Sequence, residues 1–127
     1  MAYTIMIVDD SETIRAVLQR TLAMTKLPIE SVVLAKNGVD ALEKLKSCWV
    51  DIIFTDINMP EMDGITLFNT MSRHPEYKDI PVVIVSTEGS ATRIAELRSK
   101  GIKGYLRKPF TPENIRDIII ETLGEWE

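Results

Sequence analysis

Short apolar runs alternate along the chain with segments whose apolar positions recur at helical spacing, and the pattern begins with a strand. Ile5-Met6-Ile7-Val8, Ile52-Ile53-Phe54 and Val82-Val83-Ile84-Val85 are apolar without interruption. A strand with one face in water alternates apolar and polar residues, whereas one that is apolar throughout is covered on both faces. The pattern predicts strands over Tyr3–Val8, Ser31–Leu34, Ile52–Thr55, Val82–Val85 and Gly104–Leu106. Helices are predicted over Glu12–Met24, Val39–Lys46, Ile65–Ser72, Thr92–Lys100 and Glu113–Leu123. Five βα units with right-handed crossovers build a parallel sheet between two layers of helices, a three-layer α/β sandwich.

Local signals agree with these elements. Ile14, Val17, Leu18, Thr21 and Leu22 form one apolar stripe on the first helix, and Ile115, Ile118, Ile119 and Leu123 repeat it on the last. Ser11 is placed as an N-cap, and Thr111-Pro112-Glu113 supplies a cap followed by a first-turn proline. Gly101 stands where a left-handed residue closes the fourth helix.

Composition narrows the function classes. The 127 residues, 45% of them hydrophobic, suit a single domain spanning 1–127 with its own core, about 14 Å in radius of gyration. A net charge of −4 leaves no basic stripe for nucleic acid. No run approaches the roughly 20 apolar residues of a membrane span, and the start does not read as a signal peptide. The single cysteine, Cys48, is expected to pack near a helix end, and a lone thiol suits a reducing, cytoplasmic setting. His74, the only histidine, is expected at the surface of a polar loop.

The chemistry lies at the strand ends. Asp9-Asp10 follow the first apolar run, Asp56 the third, Ser86-Thr87 the fourth, and Lys108-Pro109 the fifth. In an open parallel sheet the carboxyl ends of the strands form one rim, where ligands bind. Three carboxylates gathered there, about 5–6 Å apart at an effective dielectric near 20, repel by about 3 kcal/mol per pair. One lysine cannot offset that, but a divalent cation can, and an oxygen-only cluster with open positions favours Mg2+ over Ca2+. A carboxylate beside such a cation can attack phosphorus. Asp56, alone at its strand end, suits the nucleophile, with Asp9 and Asp10 holding the metal. An acyl phosphate with both metal-binding acids carries roughly −4, against about +3 from magnesium and Lys108 together.

Taken together, Ile7-Val8-Asp9-Asp10-Ser11, Thr55 through Gly64, Val85-Ser86-Thr87-Glu88 and Tyr105 through Phe110 resemble the receiver domains of bacterial two-component response regulators, end to end. Within that family the chain resembles the single-domain, CheY-like regulators of chemotaxis. The resemblance implies a flavodoxin-like five-stranded sheet ordered 2-1-3-4-5, the order known for such doubly wound folds, with five helices. It implies Asp56 as phosphoacceptor from a sensor histidine kinase or a small acyl phosphate, and Mg2+ bound by Asp9, Asp10, Asp56 and the backbone carbonyl of Asn58. Lys108 would pair with the phosphoryl oxygens, placed by a cis bond to Pro109, and Ser86 would donate its hydroxyl. Ser86 and Tyr105 would form the switch, Asn58 and Glu88 would tune dephosphorylation, and Pro60 and Gly64 would shape the turn after Asp56.

Output is expected through the face of the fourth helix, fifth strand and fifth helix, which carries Arg93, Glu96, Lys100, Lys103 and Arg107, toward a target protein and possibly a phosphatase. Such a protein catalyses only its own phosphorylation and dephosphorylation. Ile57 follows Asp56 where some members carry tryptophan, so Trp49 and Trp126 are not expected to report phosphorylation by quenching. Three rivals are weaker. A phosphatase with an aspartate nucleophile needs a second aspartate two residues on, where this chain has Asn58. A nucleotide binder needs a phosphate loop where Asp9-Asp10 stand. A pseudo-receiver acting only as an interaction module would have no need of intact acceptor and metal positions.

Overall fold

The strands sort their side chains by a period of two, and that alternation builds two cores. The computed structural model describes residues 2–87 and 90–124. Its strands are β1 (Tyr3–Val8), β2 (Ile29–Ala35), β3 (Ile52–Asp56), β4 (Val82–Ser86) and β5 (Gly104–Arg107). Its helices are α1 (Glu12–Met24), α2 (Gly38–Leu45), α3 (Gly64–Ser72), α4 (Ala91–Ser99) and α5 (Pro112–Leu123). The strands form one sheet in the order β2-β1-β3-β4-β5, every neighbouring pair parallel. Ile5, Ile7, Ile52, Phe54, Val83 and Val85 point to one face, where Leu18 and Leu22 of α1 and Ile115 and Ile119 of α5 cover them. Met6, Val8, Ile53, Val82 and Ile84 point to the other, beneath Ala41 and Leu45 of α2, Leu67, Phe68 and Met71 of α3, and Leu97 of α4. Each fully buried aliphatic side chain contributes about 1.5–3 kcal/mol by leaving water. Replacing Phe54, which is 1% exposed at the centre, with alanine would cost about 3–5 kcal/mol.

Every helix begins with a side chain that accepts from an otherwise unpaired amide of the first turn. Ser11, Asn37, Asp63, Ser90 and Thr111 accept from Ile14, Asp40, Thr66, Arg93 and Asn114 respectively. Each such cap is worth about 1 kcal/mol. At α5 the bond is reciprocal, because Asn114 returns a side-chain oxygen to the Thr111 amide. Gly101 takes the left-handed φ of 113° expected after α4.

The structure departs from sequence expectation in detail. β2 runs from Ile29 to Ala35 rather than Ser31–Leu34, because its backbone follows the ladder of β1 even where Glu30 and Ser31 face water. β3, β4 and β5 each extend one residue further than expected, so Asp56, Ser86 and Arg107 are still strand residues. α2 starts at Gly38 and ends at Leu45, and α4 likewise starts and ends one residue earlier than the apolar pattern suggests. Cys48 is exposed in the turn beyond α2 rather than packed. Val17 is exposed, lining a groove with Ile14, Pro109 and Phe110 rather than packing into the core. His74 is half-buried, stacked on Tyr77 with ring centroids 4.0 Å apart. Glu88 and Trp126 lie outside the described residues. Among the described residues, no helix is long and apolar enough to cross a membrane.

Candidate functional site

The parallel ladder brings the strand ends together. β1 and β3 are in register with Val8 opposite Thr55, so Asp9 and Asp56 are the next residues on adjacent strands. β3 and β4 pair Asp56 with Val85, and β4 and β5 pair Ser86 with Arg107, which sets Lys108 one step beyond. The Lys108 amide donates to the Ser86 carbonyl at 2.9 Å, so this edge stays paired past the last strand residue. The Lys108–Pro109 bond is cis.

Asp9 is 2% exposed, a depth at which an ionised carboxylate needs strong compensation. Its Oδ1 accepts from the Ser11 amide at 2.9 Å, and its amide donates to the Ala35 carbonyl at 3.0 Å. The Arg15 guanidinium donates to the Asp9 carbonyl at 2.6 Å. Its Oδ2, however, is buried with no hydrogen-bond partner. The cation facing that oxygen is Lys108, with Nζ at 3.6 Å, and the same Nζ lies 4.0 Å from Oδ1 of Asp56.

Asp56 is half-buried and accepts from the Ile57 amide at 2.8 Å. Burial pushes its carboxyl above the ordinary value; Asp9 and Asp10 push the same way, while Lys108 and the Ile57 amide pull it down without cancelling the rise. Asp10 is exposed at the mouth. One carboxylate oxygen from each of Asp9, Asp10 and Asp56 lies within 4.8 Å of the others. An orphaned buried oxygen within an all-oxygen, triply acidic cluster fits a hard divalent cation, so the residues present suit magnesium.

The other positions singled out in the sequence fall around this centre. Ser86 is buried at the end of β4. Tyr105 is half-buried on β5 and packs against the core beneath α2, α3 and α4. Asn58 and Pro60 are exposed in the loop that follows Asp56. Gly64 closes that loop: its amide donates to the Ile57 carbonyl at 2.8 Å, and a Cβ there would stand 2.1 Å from the Asp56 carbonyl oxygen. Only glycine permits that approach. On the face expected for output, Glu96 is engaged by Arg93 at 3.9 Å and Lys100 at 3.6 Å, while Lys103 and Arg107 are exposed.

Two parts of the site were not foreseen. Arg15 follows the N-cap of α1 by four residues, and only the folded turn shows that its guanidinium returns to Asp9. The contacts of Asn37 and Gly38 with Glu61 and Met62 join positions 24 apart, a separation at which periodicity carries no signal.

Known proteins place this arrangement. The family model of the response regulator receiver domain matches residues 5–120. The chain is 36% identical over 121 residues to a chemotaxis protein CheY homolog of Campylobacter jejuni, covering 94% of this chain and 92% of that one. It is 35% identical to chemotaxis protein CheY1 of Helicobacter pylori, covering 94% and 96%. The solved structure of the chemotaxis response regulator CheY4 of Vibrio cholerae superposes with a TM-score of 0.84 at 30% identity, covering 96% of this chain and 99% of that chain. Sheet order, the acidic rim and these matches agree from one end of the sheet to the other, and the chain belongs to the CheY-like response regulator receiver domains.

Proposed function

We propose that this chain is one receiver domain over residues 1–127, switched by phosphorylation of Asp56 in the presence of Mg2+ and acting, in chemotaxis, through protein contacts. The observation that carries the reading is the buried Asp9 Oδ2, without a hydrogen bond, inside a cluster of three carboxylates faced by a single lysine. Asp9, Asp10, the Asp56 carboxylate and the Asn58 carbonyl would hold the magnesium ion, which neutralises charge on the transferring phosphoryl group when bound. Phosphoryl transfer demands little of the protein beyond positioning and charge neutralisation.

An oxygen of the Asp56 carboxylate attacks phosphorus. The P–N bond of a phosphohistidine breaks as the imidazole nitrogen keeps the electron pair and takes up a proton, leaving an acyl phosphate on Asp56. With acetyl phosphate the P–O bond breaks and acetate leaves. Lys108 pairs with the phosphoryl oxygens, and its backbone is held by the hydrogen bond that its amide donates to the Ser86 carbonyl. The Ser86 hydroxyl donates to the new anion, a charge-assisted bond that biases β4 and its following loop toward a second packing into which Tyr105 turns. Asn58 and Glu88 place the water that later hydrolyses the acyl phosphate.

An apolar groove lined by Ile14, Val17, Thr21, Pro109 and Phe110 opens beside Lys108 and Thr87 and suits the approach of a helical donor from the histidine kinase. A second cleft, lined by Tyr105, Arg107, Asn114, Asp117 and Ile118, lies on the output face and suits a target protein or a phosphatase. The chemotaxis assignment rests on the curated relatives of C. jejuni and H. pylori, both named as chemotaxis proteins. A cytoplasmic setting follows from that role. Receiver domains are signalling proteins rather than enzymes acting on a separate substrate.

Intact mass after incubation with acetyl phosphate tests the reading. Wild type with Mg2+ gains one base-labile phosphoryl group. Asp56→Asn, or wild type without metal, gains none. Labelling at another residue, or labelling independent of metal, would overturn the assignment.

A further inference from the structure

The corner between β2 and α2 reaches across to the loop after Asp56. The Gly38 amide donates to the Met62 carbonyl at 3.1 Å, and the Asn37 side-chain amide donates to Oε2 of Glu61 at 3.3 Å. Asn37 is 4% exposed and is used at both ends, because its carbonyl oxygen caps α2 at 2.8 Å from the Asp40 amide. Glu61 is held at a φ of 66°, the left-handed region that non-glycine residues seldom adopt. The Met62 side chain fills the space above Gly38, where a Cβ would meet it at 2.6 Å.

These contacts close a ring around the acidic centre. Asp9 is bonded to Ala35, which leads through Lys36 to Asn37 and Gly38; these hold Glu61 and Met62, and Gly64 then bonds back to Ile57 beside Asp56. The ring fixes how far the acids at the end of β1 stand from the loop that carries Asn58. A non-glycine residue kept in the left-handed region implies surroundings that over-determine it, and such outliers gather where geometry serves function.

We propose that Asn37, Gly38 and Glu61 are positioning residues, a clasp that presets the distance across the metal site and thereby raises its affinity for Mg2+. The proposal rests on reading Asp9, Asp10 and Asp56 as the metal-binding cluster. Glu61→Gly removes the carboxylate that holds Asn37 and frees the loop backbone at once. Glu61→Gln keeps an acceptor for the Asn37 amide while removing the charge.

Titration calorimetry of Mg2+ into the unphosphorylated full chain separates the possibilities. In Glu61→Gly the Kd for Mg2+ rises about tenfold or more, in keeping with the effect of residues that orient metal ligands. Glu61→Gln binds Mg2+ within about twofold of wild type, well short of the loss expected on removing an orienting residue. An unchanged Kd in Glu61→Gly, or a Glu61→Gln defect as large as that of Glu61→Gly, would overturn the clasp while leaving the metal site intact. A wild-type chain that binds no Mg2+ would overturn the metal reading, and the clasp with it.

Discussion

Asp40 and Asp56 are both aspartates beside a lysine and a backbone amide, yet their surroundings drive them in opposite directions. Asp40 lies in the first turn of α2, with its Oδ2 accepting from the Lys36 amide at 3.0 Å and 3.3 Å from the Lys44 ammonium. Burial pushes its carboxyl up, but the Lys36 amide and Lys44 outweigh it and hold it below the ordinary value. At Asp56 burial prevails, reinforced by Asp9 and Asp10. One aspartate supports the fold; the other is kept at the fold's expense. Of these two, the carboxylate whose environment disfavours its charge is the one proposed above for chemistry.

The contrast can be sharpened first with the metal. At a Mg2+ concentration of about one hundred times Kd, wild type should gain about 2.7 kcal/mol of stability, read as a shift in the urea midpoint. Asp9→Asn should lose most of that gain, whereas Asp40→Ala should keep it. Equal gains in all three chains would break the contrast.

Without metal, Asp56→Asn should be more stable than wild type by on the order of 1–2 kcal/mol, the repulsion left after Lys108 is counted. A less stable Asp56→Asn would mean that the contact with Lys108 outweighs burial and the two neighbouring acids.

The pH dependence gives the same comparison with a sign. For Asp56 the folded value lies above the ordinary 3.8, so the folded state holds the proton more tightly and stability falls as pH rises through that window. The advantage of Asp56→Asn should therefore grow from pH 4 toward neutrality. Asp40 acts oppositely: its contribution is present above the ordinary 3.8 and is lost as pH falls through its lowered folded value. Urea unfolding across this range, for wild type and each variant, would show both slopes. The smallest effect is that of Asp40→Ala at neutral pH, a loss of about 0.5 kcal/mol from a partly exposed ion pair and a first-turn acid.

Much of this is legible in the sequence. Strands apolar on both faces leave no ambiguity about a covered parallel sheet, and Ser11, Thr111 and Gly101 mark their helix ends by local chemistry alone. Asp9, Asp56 and Lys108 could be grouped because a parallel ladder sends every strand end to one rim. What stayed hidden depends on contacts between distant segments or on small shifts of boundary. β2 is longer than its apolar residues because β1 supplies its hydrogen bonds. Cys48 is exposed because α2 ends at Leu45, leaving the cysteine in the turn. Glu61 carries no sign in its neighbours that its backbone is left-handed or that Asn37 holds it.

Gly64 bears on where a signal can leave. Its α-carbon is pressed so closely against the Asp56 carbonyl that a single methyl group would collide at 2.1 Å, and its amide is tied to Ile57. That flank has no room for a side chain, and α3 begins on it. Under the phosphorylation proposed for Asp56, the added charge would find no room to shift the backbone on that flank and would act instead on Ser86 at the end of β4.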